Sequence, residues 1–364
     1  MPAKMAALRF QLQTRLLSAA SRLSRSFTTS RCYRADPPAA DVAAAFLSRF
    51  QSLGPQTRTQ HLDANQLQLL TLTLNRPSLF SGSPSLSNSP TAPPAGTPVP
   101  PGYHLVYFTP AFLESELGAD GTDASYNPES PFTRRMWAGG EVLWPRAPDG
   151  KPNPLRVGQQ VSETTRVLSA APKVVKKTGE DMIVVGVEKE FANEHGVSIV
   201  DRRNWVFRKA ITASTAPAAQ DSASLSTAHT TSAKSSNITT QGNRHTKALI
   251  QTPVTLFRFS ALTFNPHKIH YSLPWARDVE GHKDIVVHGP LNLISILDMW
   301  RDIYGKDTEE PTSVIPRRIS YRATSPLYAG DEYQIVLQED LNLTTVQILA
   351  PGNVVAMKAE IEGP

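Results

Sequence analysis

The 364-residue sequence predicts an α+β fold that contains two antiparallel sheets. Three observations lead to this prediction. Each half of the chain contains segments in which apolar and polar side chains alternate, which is typical of half-buried strands. Only the second half contains a helix with clear start and stop signals, and a long tract rich in Ser and Thr separates the two halves.

The N-terminal segment, residues 1–35, contains seven basic residues and no acidic residue. It is also rich in serine, and its leucines fall close to one face of a helix; they are Leu8, Leu12, Leu16 and Leu23. This pattern is typical of a mitochondrial transit peptide, whose positive charges respond to the inside-negative membrane potential. We therefore predict a transit peptide and a location in the mitochondrial matrix. A disordered basic tail is the alternative.

Charge and composition exclude several classes of protein. Beyond the N-terminal segment the chain carries 30 basic and 32 acidic residues, and this balance argues against a nucleic-acid partner. The single cysteine, Cys32, excludes an intramolecular disulfide and a thiolate zinc site. No stretch of eighteen consecutive apolar residues is present, so the sequence predicts no membrane span.

Low-complexity segments divide the rest of the chain. Val42, Phe46 and Phe50 recur at helical spacing, whereas residues 81–101 consist almost entirely of Ser, Pro, Gly and Thr. A Ser/Thr-rich tract of this kind cannot bury enough apolar surface to offset the entropy of ordering. We predict four regions after the transit peptide: a helical segment with a Pro/Ser-rich linker (36–101), an N-terminal half (102–211), a disordered insertion (212–246) and a C-terminal half (247–364).

The predicted strands lie in both halves. In the first half, residues 182–189 and 197–208 form a predicted hairpin of long antiparallel strands around the turn at 193–196. The second half repeats this style in four shorter segments, at 319–323, 332–338, 344–349 and 354–361. Each half is therefore expected to form an antiparallel sheet of its own.

The predicted helix covers residues 290–304. Pro290 suits its first turn, Gly305 suits the position after its end, and an apolar stripe consists of Leu293, Leu297, Trp300 and Tyr304. A helix this apolar, with strands before and after it, suggests a hot-dog fold, in which a sheet wraps around a central helix. Gly289 falls at the predicted N-cap, where free backbone N–H groups and the helix dipole can stabilise negative charge on an oxygen.

Four of the nine histidines lie within 22 residues, at His267, His270, His282 and His288. This clustering suggests chemistry. A metal site is the poorer interpretation, because no cysteine lies nearby and the neighbouring acidic residues show no recognisable ligand spacing. We predict neither a metal nor another cofactor.

Residues 257–291 resemble the MaoC-like hot-dog hydratases and dehydratases, and in particular their mitochondrial branch, hydroxyacyl-thioester dehydratase type 2. The motif of the related (R)-specific enoyl-CoA hydratases reads Asp-x-Asn-Pro-aliphatic-His, five residues, then Ala or Ser. Ile269-His270 and Ala276 match its second part. The catalytic Asp of the motif falls on Asn265, which is a departure from the family pattern. His288-Gly289 matches the step that supplies the oxyanion amide.

The first half also resembles this family. Residues 131–145 (PFTRRMWAGGEVLWP) and 155–158 (LRVG) are similar to the degenerate first hot-dog of fatty-acid-synthase-like dehydratases. The resemblance covers about residues 103–208 and 249–362. It implies a double hot-dog with two sheets, each wrapped on a helix, in which the C-terminal half is catalytic. The degenerate, non-catalytic N-terminal half would then be shaped to hold the acyl tail.

The resemblance implies roles for individual residues. Removal of water from a 3-hydroxyacyl thioester needs a base, an acid and donors to the thioester oxygen. We expect His270 to be the base, the Gly289 N–H to be the oxyanion donor, and Asn265 to orient the water or hydroxyl. Either His270 serves both proton transfers, or His267 or another residue assists. Expected substrate-binding residues are His267, Tyr271, His288 and Leu293. Structural roles for these side chains, and a loop-shaping role for Asn265, remain the alternatives.

The predicted function is a mitochondrial (3R)-3-hydroxyacyl-acyl carrier protein dehydratase of type II fatty-acid synthesis. An acidic carrier protein would seek a basic rim, for which the candidates are Lys268, Arg277, Arg317, Arg318 and Arg322. Two alternatives stay open: a hydratase of enoyl-CoA or of a short dicarboxylic, mesaconyl-type acyl-CoA, and a catalytically inactive binding subunit. A monomer and a homodimer are both compatible with two hot-dogs in one chain.

Overall fold

A computed structural model describes residues 36–176, 178–211, 232–306, 314–340 and 343–364. The predicted transit peptide, residues 1–35, lies outside the described residues. All the elements named below belong to the unit Pro37–Pro364.

The N-terminal half contributes five antiparallel strands. They are β1 (Gln56–His61), β2 (Arg134–Leu143), β3 (Gln160–Val174), β4 (Asp181–Asn193) and β5 (Gly196–Arg208). Their order across the sheet is β1-β3-β4-β5-β2. Strands β4 and β5 pair along their whole length, from Met182 opposite Arg208 to Asn193 opposite Gly196. The predicted long hairpin is therefore confirmed.

The C-terminal half contributes the remaining strands of the sheet. They are β6 (Lys234–Ser235), β7 (Thr239–Gln241), β8 (Arg244–Ile250), β9 (Arg318–Ala323), β10 (Glu332–Glu339), β11 (Thr344–Ala350) and β12 (Val354–Glu362). Their order is β9-β12-β11-β10-β8-β6, and β7 also pairs with β8. All four strands predicted for this half, β9 to β12, are confirmed.

The end of the predicted disordered insertion is ordered. Strands β6 and β7 pair with β8, which otherwise has β10 as its neighbour. The prediction of disorder for 212–246 is therefore wrong from residue 234 onward, because this polar segment gains backbone hydrogen bonds at the edge of the sheet. Residues 212–231 lie outside the described residues.

Strands β2 and β9 pair with each other and join the two halves into one sheet of twelve strands. Each half has the same internal order, so that β1 to β5 correspond to β8, β9, β10, β11 and β12 in turn. The fold is the predicted double hot-dog.

The central helix of the C-terminal half, α4 (Gly289–Tyr304), is buried at every position from Leu291 to Arg301. It begins one residue earlier than predicted, since His288 is the N-cap and Gly289 is the first helical residue. Gly305 caps the other end with φ −87°, and so it does not use the left-handed conformation expected of a glycine there.

The N-terminal half has no long helix in the corresponding place among its described residues. Between α2 (Ala64–Thr73) and β2, where a counterpart of α4 would be expected, the chain forms only two short 3-10 turns, Tyr103–Val106 and Glu114–Glu116. Tyr103 is fully buried, and its O–H donates to Asp298 Oδ2 of α4 at 3.0 Å. The helix expected in this half is therefore reduced to one turn that packs against α4.

The predicted helical segment and linker are part of the N-terminal half rather than a separate region. Helix α1 (Ala39–Leu53) buries Val42, Phe46 and Phe50 against the sheet, in one cluster with Val185 and Phe207. Its apolar stripe needs a partner in order to leave water, and the sheet provides that partner. The prediction that residues 36–101 stand apart is therefore wrong.

The Pro/Ser-rich stretch 81–101 is likewise packed on the core. Leu86 and Val99 are buried, and the Val99 N–H donates to the carbonyl of Leu155 at 2.8 Å. A few apolar residues and these backbone bonds are enough to fix a loop with this composition. Helix α3 (Pro253–Leu262) follows β8 and leads into the histidine cluster.

Candidate active site

A cavity of about 1410 Å³ is lined by residues of both halves. The C-terminal half contributes α3, the loop after it and the first turn of α4. The N-terminal half contributes β2, parts of β3 to β5 and the loop between residues 105 and 126. All four clustered histidines, His267, His270, His282 and His288, line this cavity.

His270 is held in one orientation by the backbone. It ends the 3-10 turn Lys268–His270, and its Nδ1 lies 2.7 Å from the carbonyl oxygen of Val286. A carbonyl can only accept, so Nδ1 carries the hydrogen and Nε2 keeps its lone pair. Burial, together with the nearby His267, lowers the pKa of His270 to about 3. His270 is therefore a neutral imidazole with one free accepting nitrogen.

His288 supports His270 from one side. The two rings stack with centroids 3.6 Å apart and planes 19° apart. The Nε2 atom of His288 lies 2.9 Å from Ser260 Oγ, while its buried Nδ1 has no hydrogen-bond partner among the described residues. Burial and the neighbouring His270 lower the pKa of His288, so this ring is neutral as well.

His267 is the third ring of the cluster and meets His270 edge-on, with centroids 5.3 Å apart. Burial lowers its pKa to about 3, and the charge of Arg135 adds to this effect. Its Nε2 lies 3.8 Å from a carboxylate oxygen, Oδ2 of Asp120. The predicted histidine cluster is thus brought together, and a carboxylate from the other half of the chain lies beside it.

Asn265 lines the cavity two residues before His267. Its Oδ1 accepts the backbone N–H of His267 at 3.3 Å, so the side chain shapes the turn that presents the histidines. This is the structural role considered as an alternative, and it leaves only the side-chain NH₂ group to face a substrate.

Asp120 was not predicted from the sequence. It is buried, and its Oδ1 accepts from the backbone N–H and the hydroxyl of Thr122, at 2.9 and 2.7 Å. Its own carbonyl accepts from the Lys268 N–H at 2.8 Å. Gly121 has φ +84°, and a Cβ there would lie 2.2 Å from the carbonyl oxygen of Pro266. The sequence Gly118-Ala-Asp-Gly-Thr could have indicated this turn. Asp120 forms an Asx turn, and only glycine fits after it, because a Cβ there would be too close to the Pro266 carbonyl oxygen.

Gly289 places its backbone N–H at the start of α4, where the first amides have no partner within the helix. A glycine can let a substrate approach the backbone closely. The structure shows that a Cβ at this position would lie 2.1 Å from Cε3 of Trp137, a residue of β2. The absence of a side chain therefore makes room for an indole ring from the N-terminal half.

Tyr271 and Leu293, the two apolar residues predicted to bind the substrate, differ in their surroundings. Tyr271 is 48% exposed and lines the cavity together with exposed Phe257 and Phe264. Leu293 is fully buried in the main core and does not line the cavity, to which α4 contributes Gly289, Pro290 and Asn292. The prediction that Leu293 binds the substrate is therefore wrong, because only the first turn of the helix reaches the cavity.

The cavity wall formed by the N-terminal half carries several charged groups. Glu163 accepts from Lys189 Nζ at 2.9 Å and from Arg58 Nε at 3.1 Å, and Arg203 donates to Asp201 at 2.6 Å. Burial lowers the pKa of Lys189 to about 8. A wall of this kind differs from the apolar sleeve that an acyl tail would require.

Within the described residues, no group of three or more His, Cys, Asp or Glu side chains is suited to holding a metal ion. None of the helices described here is long and apolar enough to cross a membrane. Two of the predicted rim cations have partners within the same chain. Arg318 binds Glu141 and Glu362, and Lys268 donates to the Ala119 carbonyl.

Comparison with known proteins identifies the family. The family model described as hydroxyacyl-thioester dehydratase type 2 matches residues 102–329, which is more than half of the chain. The chain belongs to this family. It is accordingly a hydro-lyase of the dehydratase and hydratase type.

Two relatives of this hydroxyacyl-thioester dehydratase type 2 chain are each 27% identical to it. Mesaconyl-C(4)-CoA hydratase of Chloroflexus aurantiacus matches over 275 residues, or 74% of this chain and 86% of the relative. The mitochondrial hydroxyacyl-thioester dehydratase type 2 of Schizosaccharomyces pombe matches over 270 residues, or 68% and 80%. The mitochondrial enzyme of Saccharomyces cerevisiae is 23% identical over 273 residues, or 71% and 85%.

Solved structures confirm the fold of this family member. A MaoC-like dehydratase from Phytophthora capsici superimposes with a TM-score of 0.55 at 13% identity, covering 85% of this chain and 95% of that one. A double hot-dog protein from Mycobacterium tuberculosis gives a TM-score of 0.50 at 12% identity, covering 86% and 97%.

Proposed function

We propose that the chain interconverts (3R)-3-hydroxyacyl and trans-2-enoyl thioesters in the mitochondrial matrix, by reversible removal of water. One observation carries this proposal. The neutral His270, its Nδ1 fixed on the Val286 carbonyl, lines the same cavity as the free backbone amide of Gly289. A base and an oxyanion donor that share one cavity are what proton removal next to a thioester carbonyl requires.

In the first step, Nε2 of His270 takes the proton from C2 of the substrate. The electron pair of the broken C–H bond moves toward the thioester oxygen, where the Gly289 N–H and the positive end of α4 stabilise the developing charge. Because burial keeps His270 neutral near pH 7, its accepting nitrogen is available at the start of the reaction.

In the second step, the electron pair returns to form the C2–C3 double bond and the C3–O bond breaks. The imidazolium of His270 gives its proton to the departing hydroxyl, which leaves as water. The low pKa of His270 makes this imidazolium a strong acid, so one residue serves both transfers. His267, with Asp120 beside it, and the amide NH₂ of Asn265 would hold the hydroxyl in place.

The deciding experiment follows the absorbance of the enoyl thioester with the purified chain, on crotonyl and longer acyl groups. Each acyl group is tested on acyl carrier protein and on CoA. Faster turnover on the carrier protein supports a role in type II fatty-acid synthesis. Preference for CoA assigns a hydratase. A folded protein with no activity on either overturns the proposal and leaves a binding subunit.

A second candidate is the same chemistry on a short dicarboxylic acyl-CoA. The charged wall of the N-terminal half favours it, because an aliphatic tail would have to displace water from buried charges without replacing its hydrogen bonds. The Chloroflexus aurantiacus relative is named for a mesaconyl thioester, whose acyl group carries a carboxylate.

A further inference from the structure

We propose that Arg135 binds a carboxylate on the acyl group, and that the preferred substrates are short acyl thioesters with a carboxylate close to the reacting carbons. This inference rests on the proposed thioester hydro-lyase function and deepens it, because it assigns one residue to the choice of substrate.

The position of Arg135 follows from the pleat of β2. Side chains two residues apart in a strand point to the same face, about 7 Å from each other. Trp137 lies against Gly289 at the predicted oxyanion site, so Arg135 projects from the same face one repeat away. Both side chains line the cavity. That spacing fits an acyl group of about four or five carbons in total, with the thioester carbonyl at the oxyanion site and the other end at the guanidinium.

The other cations of this wall already have close partners. Arg203, Lys189 and Arg134 have carboxylate oxygens at 2.6, 2.9 and 2.5 Å, from Asp201, Glu163 and Glu280 respectively. For Arg135, the one carboxylate within 4.0 Å among the described residues is Asp123, whose Oδ2 lies 3.6 Å away. This distance is longer than a hydrogen bond. The guanidinium of Arg135 therefore keeps donors for a bound anion.

Arg135 is also held ready for such an anion. Its guanidinium carbon lies 5.0 Å from the centroid of the Trp205 ring, an arrangement that fixes the planar fork. Burial lowers the pKa of Arg135 even though Asp123 and Asp120 raise it, so these two carboxylates offset only part of the effect of burial. A carboxylate that accepts two N–H bonds from the fork would offset the remaining effect.

The charge of Arg135 reaches the reaction centre, since it contributes to the lowered pKa of His267. The bound carboxylate must therefore lie close to the histidines. A carboxylate at the end of a long chain would not occupy this position, whereas one on C3 or C4 of the acyl group would.

The test compares two CoA thioesters of equal acyl length. Crotonyl-CoA ends in a methyl group, and fumaryl-CoA carries a carboxylate in its place. We expect kcat/KM of the unmodified full chain to be higher for fumaryl-CoA. In Arg135→Met, we expect kcat/KM for fumaryl-CoA to fall about 100-fold, mainly through KM, and kcat/KM for crotonyl-CoA to change less than about threefold. Arg244→Met, at an exposed arginine of β8 that does not line the cavity, is the matched control and should change neither value.

Arg135→Lys keeps the charge but loses the fork. Its kcat/KM for fumaryl-CoA should lie between the values for the unmodified chain and for Arg135→Met. If Arg135→Met does not fold, this variant and the substrate comparison in the unmodified chain still decide. A chain that hydrates crotonyl-CoA but prefers it to fumaryl-CoA overturns the inference and leaves the proposed function intact, and so does an equal loss on both substrates in Arg135→Met. Activity on neither substrate contradicts the proposed function itself.

Discussion

The two halves of the chain share one order of strands but differ in what lies at their centre. The C-terminal half has the 16-residue helix α4, and the N-terminal half has the four-residue turn Tyr103–Val106. A full helix fills the concave side of a sheet with apolar side chains, whereas a single turn leaves space. The helix of one repeat therefore has a short turn as its counterpart in the other, and residues of both repeats line the cavity.

The walls of the cavity differ in the same way. The C-terminal half supplies the neutral histidines and the helix start, and the N-terminal half supplies buried ions and the loop around Asp120. Under the proposed function, the acid–base chemistry would come mainly from one copy of the fold and the selection of the acyl group from the other. The four predictions that follow test this separation, from the largest expected effect to the smallest.

Replacing His270 by Ala should remove the chemistry from the C-terminal half. We expect kcat to fall about 10³-fold, because the acid–base group for both proton transfers is lost. The measurement is enoyl-thioester turnover, with circular dichroism to confirm that the fold is unchanged. His195→Ala, at an exposed histidine that does not line the cavity, is the control. A His270→Ala variant that keeps a tenth of the activity would show that another residue is the base.

Replacing Gly289 by Ala should break the contact between the halves. The new methyl group would overlap the Trp137 ring, so we expect the free energy of unfolding to drop by about 2 kcal/mol and kcat to fall about 30-fold. Urea unfolding measures the first effect. The double variant Gly289→Ala with Trp137→Leu should recover most of the stability, and failure to recover would mean that the clash lies elsewhere.

Acid should destabilise the C-terminal half through its histidines. The pKa values of His267 and His270 are lowered from 6.5 to about 3, so below pH 6.5 the unfolded chain binds more protons than the folded one. The stabilisation is complete above pH 6.5 and is lost as the pH falls toward 3, at about 1.4 kcal/mol per pH unit for each histidine. Urea unfolding at pH 7.5 and 5.5 checks this, and His267→Asn should reduce the difference. Exposed His195→Asn should not.

Replacing Asp120 by Asn should show whether the N-terminal half affects the reaction through the neighbouring His267. We expect kcat to fall about tenfold with KM unchanged, because His267 loses its neighbouring charge, and we expect Asp120→Glu to recover part of the rate. Exposed Asp149→Asn is the control. A change in KM without a change in kcat would instead make Asp120 a binding residue.

Much of the fold was predictable, because strand alternation and helix punctuation are local. The β4–β5 hairpin, strands β9 to β12 and helix α4 all follow from patterns within a few residues of each other. The docking of α1 on the N-terminal sheet was not predictable, because its apolar stripe shows that a partner exists and does not show which one.

The site was predictable only where one segment carries it. The motif from Asn265 to Gly289 placed four histidines and the helix start in one cavity. Asp120, Arg135 and Trp137 reach that cavity from far along the chain, and such contacts depend on the pairing of β2 with β9. The roles of the motif residues stay predictions until the variants above are measured.

The pairing of β2 with β9 also determines which strands of the sheet can pair with a strand of another chain. Strands β2 and β9 each lie between two neighbours, so the open edges lie at the two ends of the described sheet, at β1 and at the short strands β6 and β7. Strand β1 reads Gln-Thr-Arg-Thr-Gln-His and is mostly exposed, and β6 is two residues long. Polar or very short edges resist templated pairing. The fusion of the two repeats therefore also limits the tendency of the sheet to aggregate through strand addition.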